Sequence, residues 1–166
     1  APLNAPGEIQ VRGMNVCQGY YKNPEANAQL FTSDGWMHTG DLGTLDRHNN
    51  LFIRGRSKTM ILSSNGQNIY PEEIEEKINS FSLVAESLVV RRADRLVALI
   101  VPDPEVAQRE GLSPEAAWQR IEEFRAQLNN QVAAYEKVTR FVLQEEPFVK
   151  TPKRSIKRFL YEEKTN

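Results

Sequence analysis

The sequence predicts an α+β fold in two parts: a β-rich segment over residues 1–56, then a small domain of hairpin, three-stranded sheet and helices over residues 57–166. Three observations predict it. Short strand and turn signals crowd the first part. Two apolar β runs, Ala85 to Arg91 and Leu96 to Val101, meet at the turn Arg92-Ala93-Asp94 and read as a hairpin. After Ser113-Pro114-Glu115, apolar residues recur at helical spacing.

In the first part, Gly7-Glu8-Ile9-Gln10-Val11-Arg12-Gly13 alternates apolar and polar residues between glycines, the pattern of a strand. Asn23-Pro24-Glu25 opens a helix, with Asn23 as cap and Pro24 at the first helical position. Asp34-Gly35 and Asp46-Arg47-His48-Asn49-Asn50 are turns, the second leading into a strand at Leu51-Phe52-Ile53-Arg54. This part has few long apolar faces and is expected not to close a core alone. In the second part, Thr59 to Leu62 and Gln67 to Tyr70 flank the turn signal Asn65-Gly66. Pro71-Glu72-Glu73-Ile74-Glu75-Glu76-Lys77-Ile78 is a short helix. Its glutamates suit the positive end of the helix dipole, and Ile74 and Ile78 share a face. Trp118, Ile121, Phe124, Leu128 and Val132 mark the buried face of the longest helix. Thr139 to Leu143 is a last strand, and the tail from Phe148 to Tyr161 is strongly basic.

The composition excludes several classes. Twenty-one basic residues balance 22 acidic ones for a net charge of -1, which gives no argument for nucleic acid or an anionic membrane as partner. The single cysteine, Cys17, forbids an internal disulfide and suits a reducing, cytoplasmic compartment. No apolar run is long enough for a transmembrane segment. The opening Ala1-Pro2-Leu3-Asn4-Ala5-Pro6 lacks the basic and apolar regions of a signal peptide. It also lacks a starting methionine, so the chain is expected to be processed or cut from something larger.

Two stretches carry chemistry. In Gly35-Trp36-Met37-His38-Thr39-Gly40-Asp41-Leu42-Gly43 a carboxylate lies between glycines, where it can cap a turn or accept two hydrogen bonds from a diol. In the run from Arg54 to Glu75, a strand, the charged elbow Arg56-Ser57-Lys58, a hairpin, the Gly66 turn and the Pro-Glu-Glu helix follow one another in order. Each piece is ordinary, but the order, so soon after Asp41, is not.

These stretches resemble the adenylate-forming enzymes, which include acyl-CoA synthetases, firefly luciferase and the adenylation domains of nonribosomal peptide synthetases. The resemblance runs from Gly7 to Tyr161. Gly7 to Gly13 is similar to the family's strand ahead of a Gly-Tyr-Tyr segment, here Gly19-Tyr20-Tyr21-Lys22-Asn23-Pro24-Glu25. Gly35 to Asp41 resembles its aspartate motif, and Gly55-Arg56-Ser57-Lys58 through Gly66 to Glu75 its hinge motif, worded most like bacterial long-chain fatty acyl-CoA synthetases. The resemblance implies that residues 1–56 end a large N-terminal domain that is missing here, and that residues 57–166 form its small mobile lid. It implies a ligase that joins a fatty acid to CoA with ATP through an acyl-adenylate, releasing AMP and pyrophosphate. ATP or AMP, Mg2+ held mainly by the missing part, and CoA would be its ligands, with no metal site in this chain. It implies a cytoplasmic enzyme, with a peripheral place at the inner membrane as a further option. Asp41 would hold the ribose hydroxyls and Arg56 would add contacts to the same nucleotide. Lys58 would be the hinge, and Gly66 would leave room for the pantetheine arm of CoA.

The family's catalytic lysine lies near the end of the chain. In Phe148-Val149-Lys150-Thr151-Pro152-Lys153-Arg154-Ser155-Ile156-Lys157-Arg158, Thr151-Pro152 and Lys157-Arg158 fit the family's pattern, and Ser155 falls where the lysine belongs. Serine supplies no fixed positive charge. In an extended segment Lys153 and Lys157 would share a face with Ser155 and either could substitute, Lys153 ranking first. No glycine-rich phosphate loop is present, so this chain alone is expected to be inactive. Two rivals stand beside the acyl-CoA synthetase: an adenylation domain loading a carrier protein, and a binding module of the same fold that has lost catalysis.

Overall fold

Strand pairing and two cores, one covered by helices and one by the chain's tail, account for most of the architecture. The computed structural model describes residues 5–162. The chain divides into two units, one running to Met60 and the other starting at Ile61.

The first unit contains β1 (Gly7–Val11), α1 (Pro24–Leu30), β2 (Met37–Leu45) and β3 (Leu51–Arg56), with the strands in the antiparallel order β1-β2-β3. Asn23 caps α1, its side chain accepting from the Ala26 amide at 3.1 Å. The loop before α1 is closed by Asn27, whose side chain bonds both the amide and the carbonyl of Tyr20. The β2–β3 turn is built by Asp46. Its carboxylate accepts from the amides of His48 and Asn50 and from the Asn50 side chain, and the Asn50 bonds hold the carboxyl below its ordinary value. Among the described residues of this unit only Gly43 and Thr44 are fully buried, while Leu51, Phe52 and Ile53 are exposed. The unit therefore has a sheet but no apolar core.

The second unit opens with the two-stranded ribbon β4 (Ile61–Leu62) and β5 (Asn68–Ile69), shorter than the sequence suggests, followed by α2 (Pro71–Asn79). Then come β6 (Val84–Arg92), β7 (Arg95–Pro102), α3 (Pro104–Arg109), α4 (Pro114–Asn130) and β8 (Val138–Leu143). β6 and β7 form the expected hairpin. Its two-residue turn, Ala93-Asp94, has positive φ at both positions, which matches the twist of the flanking strands. β8 joins the other edge of β7 in parallel. The connection from Pro102 to Val138, which carries both helices, is long enough for that crossover. The short α3 is not evident in the sequence. It is capped by Asp103, whose carboxylate accepts from the amides of Glu105 and Val106.

Central β7 is buried from Leu96 to Val101, as a strand covered on both faces must be. One face packs Val89, Leu96, Ala98, Ile100 and Phe141 against Ile74 and Ile78 of α2 and Ala117, Ile121 and Leu128 of α4. Trp118, Phe124 and Val132 border this core rather than fill it, and Phe124 stacks on Phe81 with ring centroids 4.5 Å apart. The other face packs Leu88, Val90, Val97, Leu99 and Val101 against Phe148 of the tail, with Ile156 and Tyr161 at its margin. The basic tail is thus the second cover of the sheet.

Candidate functional site

The Gly40-Asp41 stretch lies in β2, and its shape comes from neighbouring strands. Asp41 stands directly opposite Arg56 in the β2–β3 register, next to an irregularity between Leu42 and Gly43. Arg56 Nε reaches Asp41 Oδ1 at 3.2 Å, and Arg56 Nη2 donates to the Thr39 carbonyl at 3.4 Å. Gly40 has φ +74°, which strains any side chain, and a Cβ there would stand 3.3 Å from the Arg56 guanidinium, which would have to give by a few tenths of an ångström. The Gly40 carbonyl accepts from the amide and hydroxyl of Ser57, and its amide donates to Glu8 at 3.1 Å. The other carboxylate oxygen of Glu8 holds His38 at 2.7 Å. Both members of the Asp41–Arg56 pair stay substantially exposed, at 43% and 62% of their side-chain areas. Both therefore keep hydrogen-bonding capacity for a ligand that offers hydroxyls to the carboxylate and anionic oxygens to the guanidinium.

Lys58 follows β3 in a tight turn. The amides of Thr59 and Met60 both donate to the Arg56 carbonyl, and the Lys58 side chain is exposed. Gly66 lies in the turn between β4 and β5 with φ +75°, and nothing stands within 4 Å of where its Cβ would be. Its amide donates to the Ser63 carbonyl at 3.0 Å, and the Ser63 hydroxyl accepts from the Gln67 amide. The positive φ and the open space coexist, so the glycine serves the turn and leaves a smooth outer surface.

The tail departs from expectation. The segment around Ser155 is a hairpin rather than an extended run, so the shared face expected of Lys153, Ser155 and Lys157 does not form. Lys150 and Ile156 bridge across it, the Thr151 amide donates to Ser155 at 2.8 Å, and the Arg154 amide donates back to Thr151 at 2.8 Å. Pro152 starts this turn readily, and Arg154 takes positive φ to complete it. Lys153 therefore stands exposed at the corner, while Lys157 is half-buried with its amide on the Val149 carbonyl at 2.9 Å. The hairpin leads into the short helical turn Arg158–Leu160.

One pair escapes the sequence reading. Glu75 does not serve the dipole of α2 from the surface; it is buried at 8% exposure. Arg158 meets it with both guanidinium nitrogens, Nη1 to Oε2 at 3.0 Å and Nη2 to Oε1 at 2.8 Å. Oε1 also accepts the Val89 amide at 2.7 Å, and Arg158 Nη2 donates to the Val89 carbonyl at 3.0 Å. Burial pushes the Glu75 carboxyl above its ordinary value, with Arg158 and the Val89 amide pulling the other way. Burial works to lower Arg158, but the Glu75 hydrogen bonds and charge outweigh it and hold the guanidinium above its ordinary value. Ile74 and Ile78 were the only sequence signal, because the face they define turns Glu75 inward as well.

Among the described residues no three or more His, Cys, Asp or Glu side chains group so as to hold a metal ion. No helix among them is long and apolar enough to cross a membrane.

The family model for the AMP-binding enzyme C-terminal domain matches residues 58–165. A long-chain-fatty-acid–CoA ligase of Mycobacterium tuberculosis is 41% identical over 100 residues, covering 60% of this chain and 16% of that protein. A chloroplastic long-chain-fatty-acid–[acyl-carrier-protein] ligase of Arabidopsis thaliana is 39% identical over 128 residues, covering 70% of this chain and 17% of that protein. The o-succinylbenzoate CoA synthetase of Bacillus subtilis, solved with its acyl-adenylate intermediate, superposes with a TM-score of 0.80 at 27% identity, over 100% of this chain and 32% of that one. The chain thus spans a small fraction of the length of the relatives it matches.

Proposed function

Because the chain belongs to the AMP-binding enzyme C-terminal domain family, we propose that it is the carboxy-terminal part of an ATP-dependent acyl-CoA synthetase acting on a fatty acid. The observation that carries this reading is the Asp41–Arg56 pair, an exposed carboxylate and guanidinium set side by side where β2 and β3 meet. The carboxylate accepts the two ribose hydroxyls of ATP and then of the acyl-adenylate, and the guanidinium contacts the same nucleotide. A free carboxylate is a poor electrophile. Its attack on the α-phosphate releases pyrophosphate and gives a mixed anhydride, from which a thiol then displaces AMP. Negative charge on the phosphate oxygens calls for a cation in the first step, and the tail supplies it. Lys153, at the corner of the tail hairpin, ranks ahead of Lys157 for that role. Magnesium is assigned mainly to the upstream part of the enzyme, as the family resemblance implies.

Residues 1–56 would close the large domain and residues 57–166 would be the mobile lid. Lys58 is the hinge between the two half-reactions and Gly66 the turn that admits the pantetheine arm of CoA. We place the enzyme in the cytoplasm. Fatty acid as the substrate is supported by the long-chain ligases among the relatives. A second reading, transfer to a carrier protein instead of CoA, is favoured by the name of the Arabidopsis relative. The full-length parent enzyme tests both. ATP–pyrophosphate exchange dependent on a long-chain fatty acid is the expected result, with transfer to CoA exceeding transfer to a holo-carrier protein. Absence of exchange with any carboxylic acid would leave a binding module that has lost catalysis.

A further inference from the structure

The buried Glu75–Arg158 pair poses a question of cost. Removing two charges from water is expensive, and apolar residues of the same size often serve a core as well or better. What such a pair adds is geometry: a guanidinium fork on a carboxylate accepts little sliding. Here it joins three elements at one point. Glu75 belongs to α2, Val89 to β6, and Arg158 follows the tail hairpin directly. The tail has few other deep holds. Phe148 is buried, but Ile156 and Tyr161 only border the core. Apolar contacts of that kind tolerate a shift of register, whereas the fork does not.

The hairpin is held at its other end as well. Lys150 pairs with Glu86 of β6, and the Val149 amide donates to the Tyr161 hydroxyl at 2.9 Å. The anchors at Lys150 and Arg158 bracket the segment that carries Lys153, Ser155 and Lys157. We propose that Glu75 and Arg158 are positioning residues that hold this lysine-bearing hairpin in the single register adenylation requires. This rests on the proposed function, which assigns the tail its cationic role. The pair does not touch the nucleotide; it acts through the backbone of the hairpin.

The test uses the full-length parent enzyme and the double variant Glu75→Gln/Arg158→Met. Both charges are removed together, so no unpaired ion stays buried and the fold survives. Three quantities are measured: ATP–pyrophosphate exchange, thioester formation from supplied acyl-adenylate, and amide hydrogen exchange over residues 148–160. The expected result is a fall in kcat for exchange of roughly 10- to 100-fold, the scale of a small misplacement of a reacting group. KM for ATP and the thioester step should stay within about twofold, because interactions made equally in ground and transition states are untouched. The Val149 and Lys157 amides should exchange faster, and Arg158→Lys, which keeps the charge but not the fork, should fall between. Near-native adenylation in a variant whose tail amides have become labile would overturn the proposal. So would a parallel loss of both half-reactions, the mark of a merely structural pair. A wild-type parent that makes no acyl-adenylate would overturn the proposed function itself, whereas an active parent with an active double variant removes only the positioning role.

Discussion

Asp41 and Gly66 separate stability from activity in opposite ways. The Asp41–Arg56 pair is exposed on both sides, and such pairs contribute only about 0–1 kcal/mol to stability. Asp41→Ala should therefore leave the denaturation midpoint of the parent enzyme nearly unchanged while abolishing most ATP–pyrophosphate exchange. Near-normal exchange in that variant would sink the ribose assignment. Gly66 differs, because its backbone is the constraint. At φ +75° a side chain is strained by about 1–2 kcal/mol even though nothing crowds it. Gly66→Val should lower stability by about that amount in urea denaturation. It should also slow thioester formation far more than adenylation, since the added methyl groups extend into open space. Equal slowing of the two steps would show that the glycine serves only the turn. Both residues could be read from the sequence, because a glycine turn and an aspartate between glycines are local signals. The partner of Asp41 was legible only as a motif neighbour; the register that sets Arg56 opposite it depends on strand pairing.

Elements with local causes were legible, and those with long-range causes were not. The Asn23 and Ser113 caps, the turn at Ala93-Asp94 and the apolar period of α4 all lie within a few residues of what they determine. The parallel placement of β8 does not: it depends on α3 and α4 bringing Val138 back beside Leu96. The tail hairpin is similar, since its anchors, Glu75 and Glu86, lie far upstream. The Glu75–Arg158 anchor has a pH signature of unusual sign. A carboxyl raised in the folded state makes the native chain bind its proton more readily than the unfolded chain. Its contribution to stability is fully present below the unfolded value of about 4.5 and is lost as pH rises through the folded value. The advantage of wild type over Glu75→Gln, measured by urea denaturation, should thus shrink as pH rises from about 4.5 through the folded value. Asp34 and Asp46, lowered by hydrogen bonds from Thr32 and Asn50, run the other way: their contribution is present above 3.8 and lost as pH falls through the folded value. Glu75→Gln alone strands a buried guanidinium and should be less stable than the double variant, in which both charges are gone.

For the whole molecule, the hydrophobic core belongs to the second unit. Every fully buried hydrophobic side chain among the described residues lies between Ile69 and Phe148, and Ile121→Ala should cost about 2–5 kcal/mol. Residues 61–162 expressed alone should fold cooperatively, and residues 5–60 alone should not, as dispersion of amide resonances would report. Lys58, two residues before the end of the first unit, is open to a backbone test. The Arg56 carbonyl receives the amides of Thr59 and Met60, which leaves the Lys58 amide outside the bonds that close the turn. Proline at 58 therefore removes no donor from that turn, while it locks φ near −65° and drives Ser57 away from helical torsions. Because that shift opposes the turn closed on the Arg56 carbonyl, some loss of stability is expected, and both activities are compared well below the variant's denaturation midpoint. If the two half-reactions need different torsions at Lys58, a locked φ satisfies only one of them. Lys58→Pro in the parent enzyme should then preserve either pyrophosphate exchange or thioester formation from supplied acyl-adenylate, and reduce the other by orders of magnitude. A hinge that stores its rotation elsewhere would leave both steps intact, and a damaged fold would lower both together with the denaturation midpoint.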